Sequence, residues 1–144
     1  MEKISITLNE VKISIDEFIG KNQKLLAGID FVVGVSRGGL VPAALLAARI
    51  DKPLAAAYIN KNDEIFFDRA EWIRGKRVLA VDDVIRSGKT LWLLKNHLEK
   101  NTSAAKISFF TLFSVASLND PAYEISAFTR PVNEDVIFPW DNQL

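Results

Sequence analysis

The sequence predicts an α/β domain: a mainly parallel sheet flanked by helices on both faces. Short valine-rich runs such as IDFVVGV and RVLAV lack polar alternation, as expected of strands covered on both sides. Alanine- and leucine-rich helical stripes stand between such runs, and alternating strand and helix signals argue for βαβ units. Finally, 144 residues, 49% apolar and 25% charged, suit one soluble domain with a real core and are too few for two enzyme domains, so residues 1–144 are read as a single domain.

Taken in order, Thr7 and Glu10 have capping-box spacing, and Leu8, Val11, Ile15, Phe18 and Ile19 recur at three- and four-residue steps. A first helix is expected to start at Thr7 and to end near Gly28 or before. The run Ile29 to Val35 is a strand and SRGGL a turn. LVPAALLAARI is a helix that tolerates Pro42 because proline falls in its first turn, where no intrahelical donor is needed. Leu54 to Ile59 is the next strand. From Asn60 to Gly75 polar and aromatic residues follow no period, which suggests a mobile loop and then a short irregular or helical piece. Arg77 to Val81 is a strand, Gly88 to Lys100 a helix with Leu91, Leu94 and Leu98 on one stripe, Lys106 to Phe113 a strand, and Tyr123 to Phe128 a final strand.

Several function classes drop out on composition. Lysine plus arginine and aspartate plus glutamate both number 18, so no global field favours nucleic acid as a partner. The absence of cysteine removes disulfides, thiolate metal sites and thiol nucleophiles, and suits a reducing cytoplasm. MEKISITLNEV has no basic segment followed by a long apolar stretch, and no window is apolar enough for a membrane span, so neither export nor membrane association is expected.

Ligands of parallel sheets bind outside the carboxyl ends of the strands. Two unusual loops fall at that edge, Ser36 to Leu40 and Asp82 to Thr90. The second, DDVIRSGKT, ends like a triphosphatase P-loop, but the first glycine of that motif is replaced by Asp83, whose carboxylate would repel the phosphates such a loop surrounds. Ser87, Gly88, Lys89 and Thr90 still sit between a strand and a helix, where unpaired N–H groups and the helix dipole attract an anion of monophosphate size. Asp82 and Asp83 ahead of them suit the vicinal hydroxyls of a ribose whose 5′-phosphate lies in the loop. The competing reading is a pair of solvated acids capping the turn.

VLAVDDVIRSGKT resembles the phosphoribosyl-pyrophosphate motif of type I phosphoribosyltransferases: an apolar strand, two acids, three variable residues, Thr or Ser, Gly, any residue, Thr or Ser. VGVSRGGLVPAALLAARI is similar to the strand, pyrophosphate loop and helix of the bacterial xanthine-guanine (hypoxanthine) branch, and FPWD to its C-terminal PWD. The resemblance implies the fold of that family with a small hood formed by the N- and C-terminal segments. It also implies transfer of a phosphoribosyl group from phosphoribosyl pyrophosphate (PRPP) to a nucleobase, most simply a 6-oxopurine in purine salvage, with release of pyrophosphate.

On that resemblance Asp82 and Asp83 hold the ribose and stabilise developing positive charge, and Ser87, Gly88, Lys89 and Thr90 cradle the 5′-phosphate, Lys89 through its backbone N–H. Val84, Ile85 and Arg86 complete the motif. Arg37 meets the pyrophosphate with forked donors, or forms a surface salt bridge, while Gly38 and Gly39 let the backbone approach. The catalytic set is thus Asp82, Asp83 and Arg37, with Ser36 opening the loop. The resemblance further implies a cis peptide between Ser36 and Arg37, a flap within Asn60 to Asp68, and a homodimer or tetramer. Magnesium is implied because pyrophosphate leaves poorly until a divalent ion spreads its charge; it is expected on substrate oxygens near Asp82 and Asp83 without a protein-only site.

The base-recognising parts depart from the pattern. The third variable residue, an aspartate in 6-oxopurine members, is Arg86, which accepts no proton. Val115 stands where relatives carry a lysine, and Asp135 where they stack an aromatic ring; Val136 and Phe138 are the remaining base-pocket candidates, and Trp140 is a stacking platform or hood packing. These replacements leave open a regulatory protein that binds PRPP without turnover, or a non-standard acceptor. His97 is expected at the surface or boundary, Trp72 and Trp92 as core or subunit contacts, and Tyr58, Phe66 and Phe67 in the flap or an interface.

Overall fold

The computed structural model describes residues 2–115 and 127–141. A six-stranded sheet runs in the order β4-β3-β2-β5-β6-β7: β2 is Phe31–Ser36, β3 Leu54–Ile59, β4 Ile65–Phe67, β5 Arg77–Ile85, β6 Lys106–Val115 and β7 Phe128–Val132. All neighbours are parallel except β3 and β4, which form an antiparallel hairpin. β1 (Lys3–Ser5) pairs in parallel with β8 (Asp135–Ile137), so the two ends of the chain build the small hood.

Both faces of the sheet are covered, which is why its central strands read as unbroken apolar runs. Successive side chains of β5 point to opposite faces. Leu79 and Val81 join Val11, Ile15 and Phe18 of α1 (Leu8–Lys21) and Ala43, Leu46 and Ala47 of α3 (Leu40–Ile50). Val78 and Ala80 pack with Leu91 and Leu94 of α4 (Lys89–His97) and with Leu98, where the helix passes into a π-helical turn, Leu98–Thr102. At Gly34 a Cβ would lie 2.8 Å from that of Ala43, so glycine sets how closely β2 and α3 approach.

The elements with clear chemistry fall where expected. Thr7 caps α1 in a capping box with Glu10. The helix breaks at Asn22, whose side chain donates to Phe18 O at 2.9 Å, and a short α2 (Gln23–Ala27) follows. α3 and β3 have the expected limits.

Other boundaries are corrected. β5 continues four residues past the expected end at Val81, because pairing with β6 persists through Asp82↔Thr111, Val84↔Phe113 and Ile85↔Ser114. The two acids thus belong to a strand and not to the loop after it. In the Asn60 to Gly75 stretch, Asn60 Oδ1 accepts from the backbone N–H groups of Asn62 and Glu64, each at 2.9 Å, closing the β3–β4 hairpin; a 3-10 turn, Ala70–Ile73, follows. Three-residue β4 has too short a pattern to announce itself. Of the expected last strand, residues 123–126 lie outside the described residues, and Phe128 begins β7. Trp72 and Trp92 are surface residues, 54% and 39% exposed, which removes the core reading for both.

Candidate active site

Asp82 and Asp83 follow the apolar run Val78 to Val81 in the central strand, with Val84 and Ile85 closing it. Asp82 is only 9% exposed, and its Oδ1 accepts from Asp83 N at 2.8 Å. Burial, and then the neighbouring Asp83 charge, push its carboxyl well above the usual carboxylate range, with Arg86 pulling weakly the other way. Asp83 is held on both oxygens: Oδ1 accepts from Val84 N at 2.7 Å, and Oδ2 from the indole Nε1 of Trp140 at 3.2 Å.

The other loop lies directly against this pair. A Cβ on Gly38 would fall 2.0 Å from Asp83 Oδ2, and one on Gly39 would fall 2.3 Å from Val81 O and 2.7 Å from Val35 O. Glycine is required at both places for β2 and β5 to present their loops together. The Ser36–Arg37 peptide is cis, as the motif implies. Ser36 is half-buried and the Arg37 side chain exposed.

Beyond the acids, residues Asp82, Asp83, Val84, Ile85, Arg86, Ser87, Gly88, Lys89, Thr90 and Leu91 line a cavity of about 190 Å³. Gly88, at φ 88°, turns the chain into α4 and leaves the helix N-terminus facing that cavity. Lys89 N donates to Ser87 Oγ at 3.2 Å, while Lys89 Nζ reaches Asp63 Oδ2 in the hairpin turn at 3.0 Å. The Arg86 guanidinium turns to the hood, where Nη2 donates to Asp135 Oδ1 at 2.9 Å; that bond holds the Asp135 carboxyl below its ordinary range.

The four base-pocket candidates separate. Val115, Val136 and Phe138 are buried in the core, Val136 from the hood strand β8, with Phe138 packing on Phe113 and stacking on Trp140 with centroids 4.9 Å apart. Only Asp135 reaches the motif loop, through Arg86. Trp140 is the site residue that sequence reasoning left between two roles: it packs on Phe138 and also binds Asp83. The PWD tail was its signal, but nothing in the chain order reveals which carboxylate it meets.

A model of the phosphoribosyl transferase domain matches residues 4–143. The xanthine-guanine phosphoribosyltransferase of Cereibacter sphaeroides is 30% identical over 125 residues, covering 78% of this chain and 70% of that protein. The enzyme of the same name from Desulfotalea psychrophila is 26% identical over 128 residues, with the same coverage. Among solved structures, purine phosphoribosyltransferase from Pyrococcus horikoshii superposes with a TM-score of 0.81 at 25% identity, covering 99% of this chain and 95% of that one. With the family model spanning nearly its whole length, this chain belongs to the phosphoribosyl transferase domain family.

Proposed function

We propose that this protein transfers the 5-phosphoribosyl group of PRPP to a ring nitrogen of a 6-oxopurine, releasing pyrophosphate. The observation that carries the reading is the junction of Asp82 and Asp83 with two loops: the glycine loop Ser36 to Gly39 on one side and the cup of Ser87 to Thr90 on the other. A 5′-phosphate accepts N–H bonds at the α4 terminus. The ribose diol then lies over the two carboxyls, Asp82 resisting ionisation and Asp83 fixed by its two donors. Arg37, in the exposed loop beside them, takes the pyrophosphate with its planar fork.

The donor set suits magnesium, because Asp82 and Asp83 offer the hard carboxylate oxygens such an ion takes beside substrate oxygens and water. When bound, magnesium would neutralise the departing pyrophosphate, held by these two carboxyls together with substrate oxygens and water. The chain's own work is orientation: the loop after β2 packs against Asp82 and Asp83 of β5 and the phosphate cup follows β5, so the sugar is held between its leaving group and the hood, where the base enters. A cytoplasmic setting goes with the reaction, whose activated sugar is an intracellular metabolite. Assembly as a dimer or tetramer is also part of the proposal, supported by exposed Tyr58, Phe66 and Trp72 around the hairpin.

The test is pyrophosphate release from PRPP and magnesium with hypoxanthine, guanine or xanthine. Base-dependent release is expected. PRPP binding without release for any base would contradict transfer and point to a regulatory role.

A further inference from the structure

Between α1 and the edge of the sheet lies a second cavity of about 640 Å³, against about 190 Å³ for the phosphate cup, and no residue lines both. One wall is α1, where Ser14, Glu17, Phe18 and Lys21 recur at three- and four-residue steps and so share a face. The other is β7, the last strand of the sheet. Phe128 and Arg130, two apart on that strand, also share a face, and Phe128 meets Phe18 with ring centroids 5.6 Å apart, so the face is the one toward α1. Phe18 in turn stacks on Phe110 at 4.0 Å. Phe110 and Phe18 are buried, whereas Phe128 at the end of this row of rings is 41% exposed. Beside them Thr111 and Leu112 of β6 stand against Thr129 alone, a bulge that bends the strand where the cavity lies.

The rim carries unanswered charge. Lys21 and Arg130 form no ion pair among the described residues, and neither does Glu17, although all three line the same cavity. Two cations and one carboxylate thus border an aromatic floor, and a cavity of this volume with a few polar groups over apolar walls suits a small organic ligand. We propose that it is a second binding site, for a flat aromatic ring that carries an anionic group, the ring on Phe128 and the anion on Arg130 and Lys21. A guanidinium fork takes phosphate or carboxylate bidentately, and the open ring of Phe128 offers a stacking face. That chemistry belongs to a nucleoside monophosphate or to an aromatic carboxylate. The site stands apart from the transferase reading, because none of its residues belongs to the two motif loops.

The test is equilibrium binding to the full chain saturated with PRPP and magnesium, with guanosine monophosphate, a naphthalene carboxylate, ribose 5-phosphate and inorganic phosphate as probes. One molecule of a ringed probe should bind per chain, and the two probes without a ring at least about tenfold more weakly. Tighter binding of the nucleotide or of the carboxylate tells the two sources apart, and either supports the site. Arg130→Gln combined with Lys21→Gln should weaken the ringed probes by about 10- to 100-fold with PRPP affinity and Tm unchanged, since both side chains are exposed. Phe128→Leu, which keeps an apolar contact with Phe18 but loses the ring face, should weaken them by about tenfold. Ringed probes that do not bind wild type, or that bind the double variant as tightly, overturn the proposal. So does phosphate that binds as tightly as they do, which marks an anion site without a place for a ring. Wild-type protein that fails to bind PRPP sinks the transferase reading alone, and the same variants then decide this site without PRPP.

Discussion

Trp140 Nε1 donates to Asp83 Oδ2 at 3.2 Å, so the tail of the chain is hydrogen-bonded to the carboxylate at the end of the central strand. The indole also stacks on Phe138, with ring planes 5° apart. Trp140→Phe keeps the stacked ring and removes only the donor. Hydrogen bonds to charged groups contribute about 1.5–3 kcal/mol, and this one is part-buried, so kcat/KM for PRPP should fall about tenfold with little change in Tm. Trp140→Ala, which also removes the stack, should lower Tm. Steady-state kinetics and thermal unfolding of the two variants separate the roles.

Gly38 is set by the same carboxylate. Alanine there would put its Cβ 2.0 Å from Asp83 Oδ2, so the side chain of Asp83 must turn away. Gly38→Ala should therefore lose most PRPP affinity while remaining folded. Gly39→Ala meets backbone instead, Val81 O at 2.3 Å, and should destabilise the whole domain. Calorimetric binding alongside circular dichroism would distinguish an altered site from an altered fold.

Asp82 makes stability depend on pH. Its folded carboxyl is raised, so between the ordinary carboxylate range and that raised value the folded state binds more protons than the unfolded one. Stability then decreases as pH rises through that window, and the full cost of burying the charge is present above it. Asp82→Asn keeps an acceptor for Asp83 N but has no charge to bury. Its Tm relative to wild type should be higher at pH 7 than at pH 4, although PRPP binding suffers. A difference that shrinks from pH 4 to pH 7 would contradict the assigned direction.

The Lys89–Asp63 pair joins α4 to the hairpin turn, with both side chains 45% exposed. Exposed pairs contribute at most about 1 kcal/mol, so Asp63→Asn should change unfolding free energy by less than that. PRPP affinity of Lys89→Met should be close to wild type, because the ammonium is directed at the hairpin and the backbone N–H is retained. A large loss of affinity in Lys89→Met would place the ammonium on the substrate.

Periodicity and caps made α1, α3, β3 and the parallel order legible, because these elements bury one chemical class on a regular step. The site was legible as two separate motifs: acids followed by a glycine turn, and SRGG. Their contact was not, since Gly38 meets Asp83 only after β2 and β5 pair. The extension of β5 was hidden because its acids look like loop residues until β6 is laid beside them. Three-residue β1, β4 and β8 carry no period, and the partners of Trp140 and Asp135 lie 57 and 49 positions away in the chain.

The central claim is that Asp82 and Asp83 grip a ribose whose phosphate lies in the cup of Ser87 to Thr90. A crystal structure with a bound ribose 5-phosphate compound tests it most directly. The diol oxygens should lie within hydrogen-bonding distance of the two carboxyls, and the phosphate against the N–H groups at the start of α4. A phosphate bound elsewhere, with the diol away from both aspartates, would contradict it.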